Sequence, residues 1–250
     1  PAITAVIDGV ARVGLSENEH ERILGPAKKA GERELALAIA QQWSVGATTV
    51  SASLLLSARV GIGVFATGGI GGVHRGAEVS FDISADLAEF SLTPVTVVGA
   101  GAKAILDLPK TLEVLETYGV PVIAYGQDDF PAFWSRSSGL KAPLRMDSVA
   151  QIAASHLMRV NLGVTGGQFV ANPIPIEAEI PRAEIDPFIE QALAEAQRAG
   201  ISAKAVTPFL LQRMFELTQG RSLICNIALV KNNARLAAGI ARALNGLPTS

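Results

Sequence analysis

The chain has 250 residues, of which 49% are hydrophobic, 18% charged and 5% aromatic, with a formal net charge of −2. That is enough apolar material for a sizeable α/β core, while the lack of any concentrated Lys/Arg stretch argues against a nucleic-acid partner. The single cysteine, Cys225, excludes an internal disulfide and a cysteine-based zinc cluster, and no apolar run reaches the roughly 20 residues of a membrane-spanning helix.

In chain order, residues 3–7 read as a strand. Ser16-Glu17-Asn18-Glu19 is a capping-box pattern that opens a short helix ending near Gly25-Pro26. Residues 32–43 read as an amphipathic helix with Leu35, Ala38 and Ile39 on one face. A turn is expected at Gly46-Ala47-Thr48-Thr49, followed by a helix over 51–60 and a strand over 62–66, short, apolar and bounded by glycines as a strand buried on both faces would be. Further strands are expected at 95–98, 120–125 and 168–171, and helices at 112–117 and 146–161, the last capped by Asp147 or Ser148. Residues 127–143 read as a long loop containing Phe130, Pro131, Phe133 and Trp134. Asp186-Pro187 places a cap and a proline at a first helical position, opening a helix that stops at Gly200, and two more helices fit 208–217 and 223–244. Strands alternating with helices predict one α/β domain over 1–250, a three-layer α/β/α arrangement with a mostly parallel central sheet. No signal-peptide pattern opens the chain, and a cytoplasmic setting is the expectation.

Three segments could carry chemistry. Residues 67–76 put five glycines with Thr67, His74 and Arg75 directly after a strand; a ligand loop at a strand's carboxyl end is one reading, a structural turn the other. Asp82 and Asp86 are four residues apart, on one face if the segment is helical; they suit a hard divalent cation, or Asp82 or Ser84 simply caps a helix running to Phe90. Lys103 follows a strand among Ala and Gly, where desolvation would leave an amine neutral enough for Schiff-base chemistry; the alternative is a solvated lysine at a helix start. Residues 99–104 also match the G-x-G-x-x-A dinucleotide fingerprint, which keeps an NAD-dependent oxidoreductase open as an alternative, although the first acids after the next strand lie too far away. His20 reads as a solvated helix face and His156 as surface or satisfied core, while Asn226, Asn232 and Asn233 stand in an otherwise apolar helical stretch.

Taken in order, GATTV (46–50), VFATGGIGGVHRG (64–76), FDISADL (81–87), GAGAKAILD (99–107), ANPIP (171–175), TPFLL (207–211) and NIALV (226–230) resemble the pseudouridine-5′-phosphate glycosidases, the indigoidine synthase A-like family. The resemblance runs over nearly the whole chain. It implies a manganese-dependent homotrimeric α/β/α enzyme that interconverts pseudouridine 5′-phosphate and water with uracil and ribose 5-phosphate. It places the nucleophilic lysine on Lys103 and the metal-binding aspartate on Asp82, which acts through the ion and its waters. Substrate contacts fall on Lys29, Val50, Ser84, Ala85 and Asp86, with Thr67, His74 and Asn226 lining the phosphate and base pocket. The chemistry is coherent: a lysine nitrogen on C1′ can donate its lone pair to form an iminium as a carbanion-like uracil carbon departs, which protonating an oxygen would not achieve.

The sequence departs from the family pattern in two places. The family's N-terminal Ala-Leu-Glu-Ser-Thr segment, whose glutamate donates a proton, has no match here, and Arg33-Glu34-Leu35 replaces Arg-Asp-Leu beside Lys29. The expectation is therefore that these 250 residues alone are catalytically impaired; a non-catalytic phosphosugar- or nucleotide-binding remnant is the alternative.

Overall fold

The computed structural model describes residues 1–201 and 206–247. Its strands form two sheets. The first has four strands in the order β2-β1-β4-β3: β1 (Thr4–Ile7), β2 (Val10–Val13), β3 (Lys28–Ala30) and β4 (Val45–Thr48). Asp8 and Gly9, at φ 49° and 72°, form the two-residue turn that joins β1 to β2, where the Asp-Gly pair supplies the left-handed backbone such a hairpin demands. β1 is antiparallel to β2 and β4, while β3 runs parallel to β4 and carries Lys29 opposite Ala47. Helices α1 (Glu17–Ile23), α2 (Glu32–Ala40) and α3 (Val50–Arg59) accompany this sheet, and Val6, Leu35, Ala38 and Ala52 pack together beneath α2 and α3. The capping box at Ser16 is formed, with its hydroxyl accepting from Glu19 N–H and the Glu19 carboxylate accepting from Ser16 N–H.

The second sheet is wholly parallel, in the order β5-β6-β9-β7-β8: β5 (Val64–Ala66), β6 (Thr96–Gly99), β7 (Val122–Tyr125), β8 (Leu144–Met146) and β9 (Gln168–Ala171). Successive residues point to opposite faces. Val97 and Phe169 enter the large core beneath α5 (Ala85–Leu92), α6 (Leu108–Thr117), α8 (Arg182–Arg198) and α9 (Val206–Leu217), whereas Val98 and Val170 face α7 (Val149–Asn161) and α10 (Arg221–Asn245) with Ile152, Ala237 and Ile240. The expected three layers are therefore present, with helices on both faces of a parallel sheet. A single-turn helix, α4 (Ala77–Ser80), completes the set.

Several expectations need correction. Residues 45–48 are a strand, not a turn; Gly46 belongs there because a β-carbon would stand 3.1 Å from Val6 Cβ on the neighbouring strand. β5 is an edge strand, and its residues are half-buried instead of enclosed on both faces. β8 is a further edge strand in a stretch that reads as the approach to a helix, and α7 begins only at Val149 behind the Ser148 cap. α2 stops at Ala40, and Ile39 faces solvent at 42% exposure. α8 starts at Arg182, so Pro187 lies inside it, and Asp186 is not a cap but pairs with Arg182 one turn back. Ile180 and Ile185, each 1% exposed, anchor the earlier start.

At the amino ends of β6 and β9, away from the strand ends where ligands bind, Gln168 organises a buried polar network. Its Nε2 donates to Thr96 Oγ1 and Ile152 O, its Oε1 accepts from Ser155, and Thr96 Oγ1 lies 2.9 Å from His156 Nδ1. His156 is thus a satisfied core residue. Replacing Gln168 by Leu leaves the Ile152 carbonyl and two hydroxyls without their amide partner, and is expected to lower unfolding free energy by roughly 2–4 kcal/mol in urea titration. A loss below about 0.5 kcal/mol would mean that water replaces the amide there.

Candidate active site

Beyond the carboxyl ends of β5 and β6 the two chains stay side by side. Thr67 N–H donates to Val98 O, Ala100 N–H to Gly68 O, Ile70 N–H to Gly101 O, Lys103 N–H to Ile70 O and Asp107 N–H to Val73 O. This close approach is why the segment is rich in glycine. A β-carbon on Gly69 would meet the Phe133 ring at 2.7 Å, one on Gly72 the Thr111 hydroxyl at 2.5 Å, and one on Gly101 the Pro131 carbonyl at 2.1 Å. Among the described residues the N–H groups of Gly68 and Gly69 have no acceptor, which leaves two donors at the strand end.

Past Gly72 the chain makes an excursion and returns. Gly76, at φ 82°, opens α4, and Phe81, left-handed at φ 54°, closes it. His74 N–H donates to Asp82 O and Ser84 N–H to Gly72 O, so Val73 and Ile83 pair antiparallel. The excursion brings Asp82 back beside His74, with Nδ1 to Oδ2 at 4.0 Å. Ser84 then caps α5, which puts Asp82 outside the helix. Asp82 and Asp86 do not share a helical face. Asp82 keeps a side chain 40% exposed, while Asp86 is 5% exposed and accepts from Ser51 N–H and Gly71 N–H, each at 2.9 Å.

Lys103 lies on the loop after β6, five residues before α6, so it is not a lysine at a helix start. It is half-buried, and among the described residues it has no ion-pair partner. Burial lowers its pKa from the ordinary lysine value, the Asp86 carboxylate opposes that, and the Lys29 ammonium adds to it. His74 is also lowered, by burial first and by Lys103 and Lys29 after that, against the raising effect of Asp82. His74 and Lys103 thus each feel the charge of Lys29, with Asp82 acting on the first and Asp86 on the second. Val50, buried at the first turn of α3, precedes the residue whose N–H binds Asp86, and Ala85 sits exposed at the start of α5. Thr67 stands at the end of β5, and a β-carbon on Gly68 would lie 3.3 Å from Asn226 Oδ1 on α10. That oxygen is buried without a hydrogen-bond partner.

A cleft of ≈ 950 Å³ is lined by His74 and Asp82 together with Arg75, Phe81, Ile105 and the α8 residues Glu190 and Leu193. Lys103 is not part of its wall. The fingerprint reading of residues 99–104 fails, because Gly101 is followed by a loop and no helix N-terminus reaches that segment.

No group of three carboxylate, imidazole or thiol side chains is placed to hold a metal ion among the described residues. Asp82, half-exposed with His74 beside it, offers one carboxylate. Such a donor set fits only a cation that keeps most of its water, as hard divalent ions with few protein ligands do. The pairing of His74 with Asp82 was not legible beforehand; the eight-residue spacing says nothing until the left-handed turns at Gly76 and Phe81 fold it back.

Against known proteins, residues 1–243 match the family described as indigoidine synthase A like protein. The pseudouridine-5′-phosphate glycosidase of Paracoccus denitrificans (strain Pd 1222) is 66% identical over 98% of this chain and 81% of its own length. That of Jannaschia sp. (strain CCS1) is 62% identical over the same shares. Among solved structures, the prealnumycin C-glycosynthase AlnA in complex with ribulose 5-phosphate superposes with a TM-score of 0.91 at 35% identity, covering 98% of this chain and 81% of that one. An indigoidine synthase A-like protein from Thermotoga maritima gives 0.88 at 38% identity, covering 96% and 79%.

One acid beneath the site is perturbed. Glu89, on the turn of α5 after Asp86, is 4% exposed, and its pKa rises from 4.5 to about 7 through burial first, then Glu32 and Asp86, against a hydrogen bond from Thr93. A carboxyl with a raised folded-state pKa holds its proton more tightly when folded, so its contribution is most favourable below the unfolded value and is lost as pH rises to about 7. Glu89→Gln is expected to match the parent near pH 4.5 and to exceed it by roughly 1–3 kcal/mol at about pH 8, read as unfolding midpoints across pH. Equal stability at both pH values would show that Glu89 is solvated.

Proposed function

The chain belongs to the indigoidine synthase A like family, and on that premise we propose that it is a pseudouridine-5′-phosphate glycosidase acting through a Schiff base on Lys103. The observation that carries the reading is the position of Lys103: beyond a parallel strand's carboxyl end, half-buried, its amine shifted toward the neutral form, and flanked by a glycine loop with free N–H donors. Relatives 66% and 62% identical bear that activity in their names. AlnA, which has the same fold, holds a pentose phosphate and is a C-glycosynthase, a chemistry of the same kind of bond.

In this reading the Gly68 and Gly69 N–H groups, Thr67 and Asn226 receive the phosphosugar, with Lys29, Val50, Ser84, Ala85 and Asp86 around its other side and His74 toward the base. The neutral Nζ of Lys103 adds to C1′, the C1′–O4′ bond opens, and the ring oxygen takes the proton given up by nitrogen. The nitrogen lone pair then forms the C1′=Nζ iminium as the bond to the uracil carbon breaks, and that carbon takes a proton from solvent. Water hydrolyses the iminium, which releases ribose 5-phosphate, restores the amine and returns the proton. A divalent cation, manganese in this reading, would be held by Asp82 through its waters and would supply positive charge beside the substrate's oxygens.

The homotrimer belongs to the same proposal, supported by the exposed apolar residues Leu223, Ile224, Ile227 and Val230 along one side of α10. No described helix is long and apolar enough to cross a membrane.

Ribose 5-phosphate with borohydride is expected to fix the sugar covalently on Lys103, identified by peptide mass. The trapping rate should rise with pH about a midpoint below the ordinary lysine value of 10.5, since burial favours the neutral amine. Lys103→Ala should give no adduct. Failure of the parent chain to form one, or an adduct that survives the substitution, would sink the Schiff-base reading.

A further inference from the structure

The asparagines of α10 are placed with a regularity that packing alone does not require. Asn233 is 0% exposed in the middle of the helix, where asparagine is a poor former and a buried amide must find partners. Its Oδ1 accepts from Asn172 Nδ2 at 2.9 Å, and its Nδ2 donates to Thr67 O at 2.8 Å and Gly68 O at 3.3 Å. Asn172 N–H in turn donates to Gly99 O, and Asn232 Nδ2 to Pro173 O at 3.1 Å. Two adjacent side chains thus grip the chain where it leaves β5 and β9, and Asn172 carries the link on to the end of β6. Leu229, Ala237 and Ile240 already bury the apolar side of α10. Apolar contacts leave a helix free to slide or turn by small amounts, whereas directional bonds to two successive carbonyls do not.

Asn226 lies seven residues, about two turns, before Asn233 and on the same side of the helix. Its Oδ1 is the buried oxygen without a partner that faces Gly68. We infer that Asn233 is a positioning residue: through its bonds to Thr67 and Gly68 it fixes the register of α10 against the glycine loop, so that the unpartnered amide oxygen of Asn226 is presented to the hydroxyls of the phosphosugar. The inference rests on the function proposed above, because it takes the glycine loop and Asn226 as a sugar-phosphate site. It adds a residue that touches no substrate, whose effect runs through the placement of Asn226.

The test is calorimetric binding of ribose 5-phosphate to the full chain, to Asn226→Ala, to Asn233→Ala and to the double variant, with thermal unfolding of each. Asn233→Ala is expected to weaken binding about tenfold. In the Asn226→Ala background the same change should weaken it by less than about twofold, because two residues acting through one contact are not additive. Fully additive losses, or unchanged binding by Asn233→Ala, would confine Asn233 to stability and overturn the inference. Should Asn233→Ala not fold, Asn172→Ser keeps Asn233 but releases its amide, and is expected to weaken binding about threefold; unchanged binding there overturns the inference equally. If the unaltered chain does not bind ribose 5-phosphate, the functional reading fails first and this role falls with it, an outcome distinct from binding that ignores Asn233.

Discussion

Asp86 receives one hydrogen bond from the first turn of α3 and another from the glycine loop, and through them joins the helix that accompanies the four-stranded sheet to the end of the five-stranded one. A carboxylate in so enclosed a place is tolerable only when its oxygens are occupied by donors. The two backbone N–H groups meet that need and are held by it in return. Lys29, on β3 of the four-stranded sheet, and Lys103, on the loop after β6 of the five-stranded one, are both felt at His74. The site is therefore a seam between two sheets, and its cations come from both.

The same seam explains why so much of the local backbone is glycine. Strand pairing continues past the ends of β5 and β6 into segments that must also fit beneath Phe133, Thr111 and Ser84. At Gly71 no side chain fits, since a β-carbon would come within 2.2 Å of Ser84 Oγ. Burial of Lys103 beside this packing favours a neutral amine. The chemistry proposed for Lys103 is in this sense a result of how closely two stretches of main chain approach each other.

Much of this could be read from the residues, and what could not has identifiable causes. The capping box, the parallel strands and the order of the helices follow from local signals that tertiary contacts reinforce. β4 was hidden because Gly46 and two threonines imitate a turn, although Gly46 is there to admit Val6 from the neighbouring strand. The start of α8 was hidden because Asp186-Pro187 imitates a cap, while burial of Ile180 and Ile185 draws the helix back to Arg182. At the site, Lys103 and the glycine loop announce themselves by their place after strands. Asp82 and Asp86 look alike in sequence and differ in the fold, since the Ser84 cap separates one from the helix and buries the other within it. The asparagines of α10 signal only that something polar is buried; which groups they bind depends on segments 59 and 61 residues earlier for Pro173 and Asn172, and 166 and 165 for Thr67 and Gly68.

The excursion through α4 is tied at its base by the pairing of Val73 with Ile83, and its tip carries Val79 and Phe81 at 85% and 80% exposure. Because the anchors are backbone bonds, the tip can change in length and composition without loosening the seam, and lengthening a closed segment is thermodynamically mild, about 0.6 kcal/mol for each doubling. The chain thus has a region whose length and composition can change while the amine of Lys103 stays where it is. Substrate range in such a scaffold would evolve by editing one short appendage, leaving the core untouched.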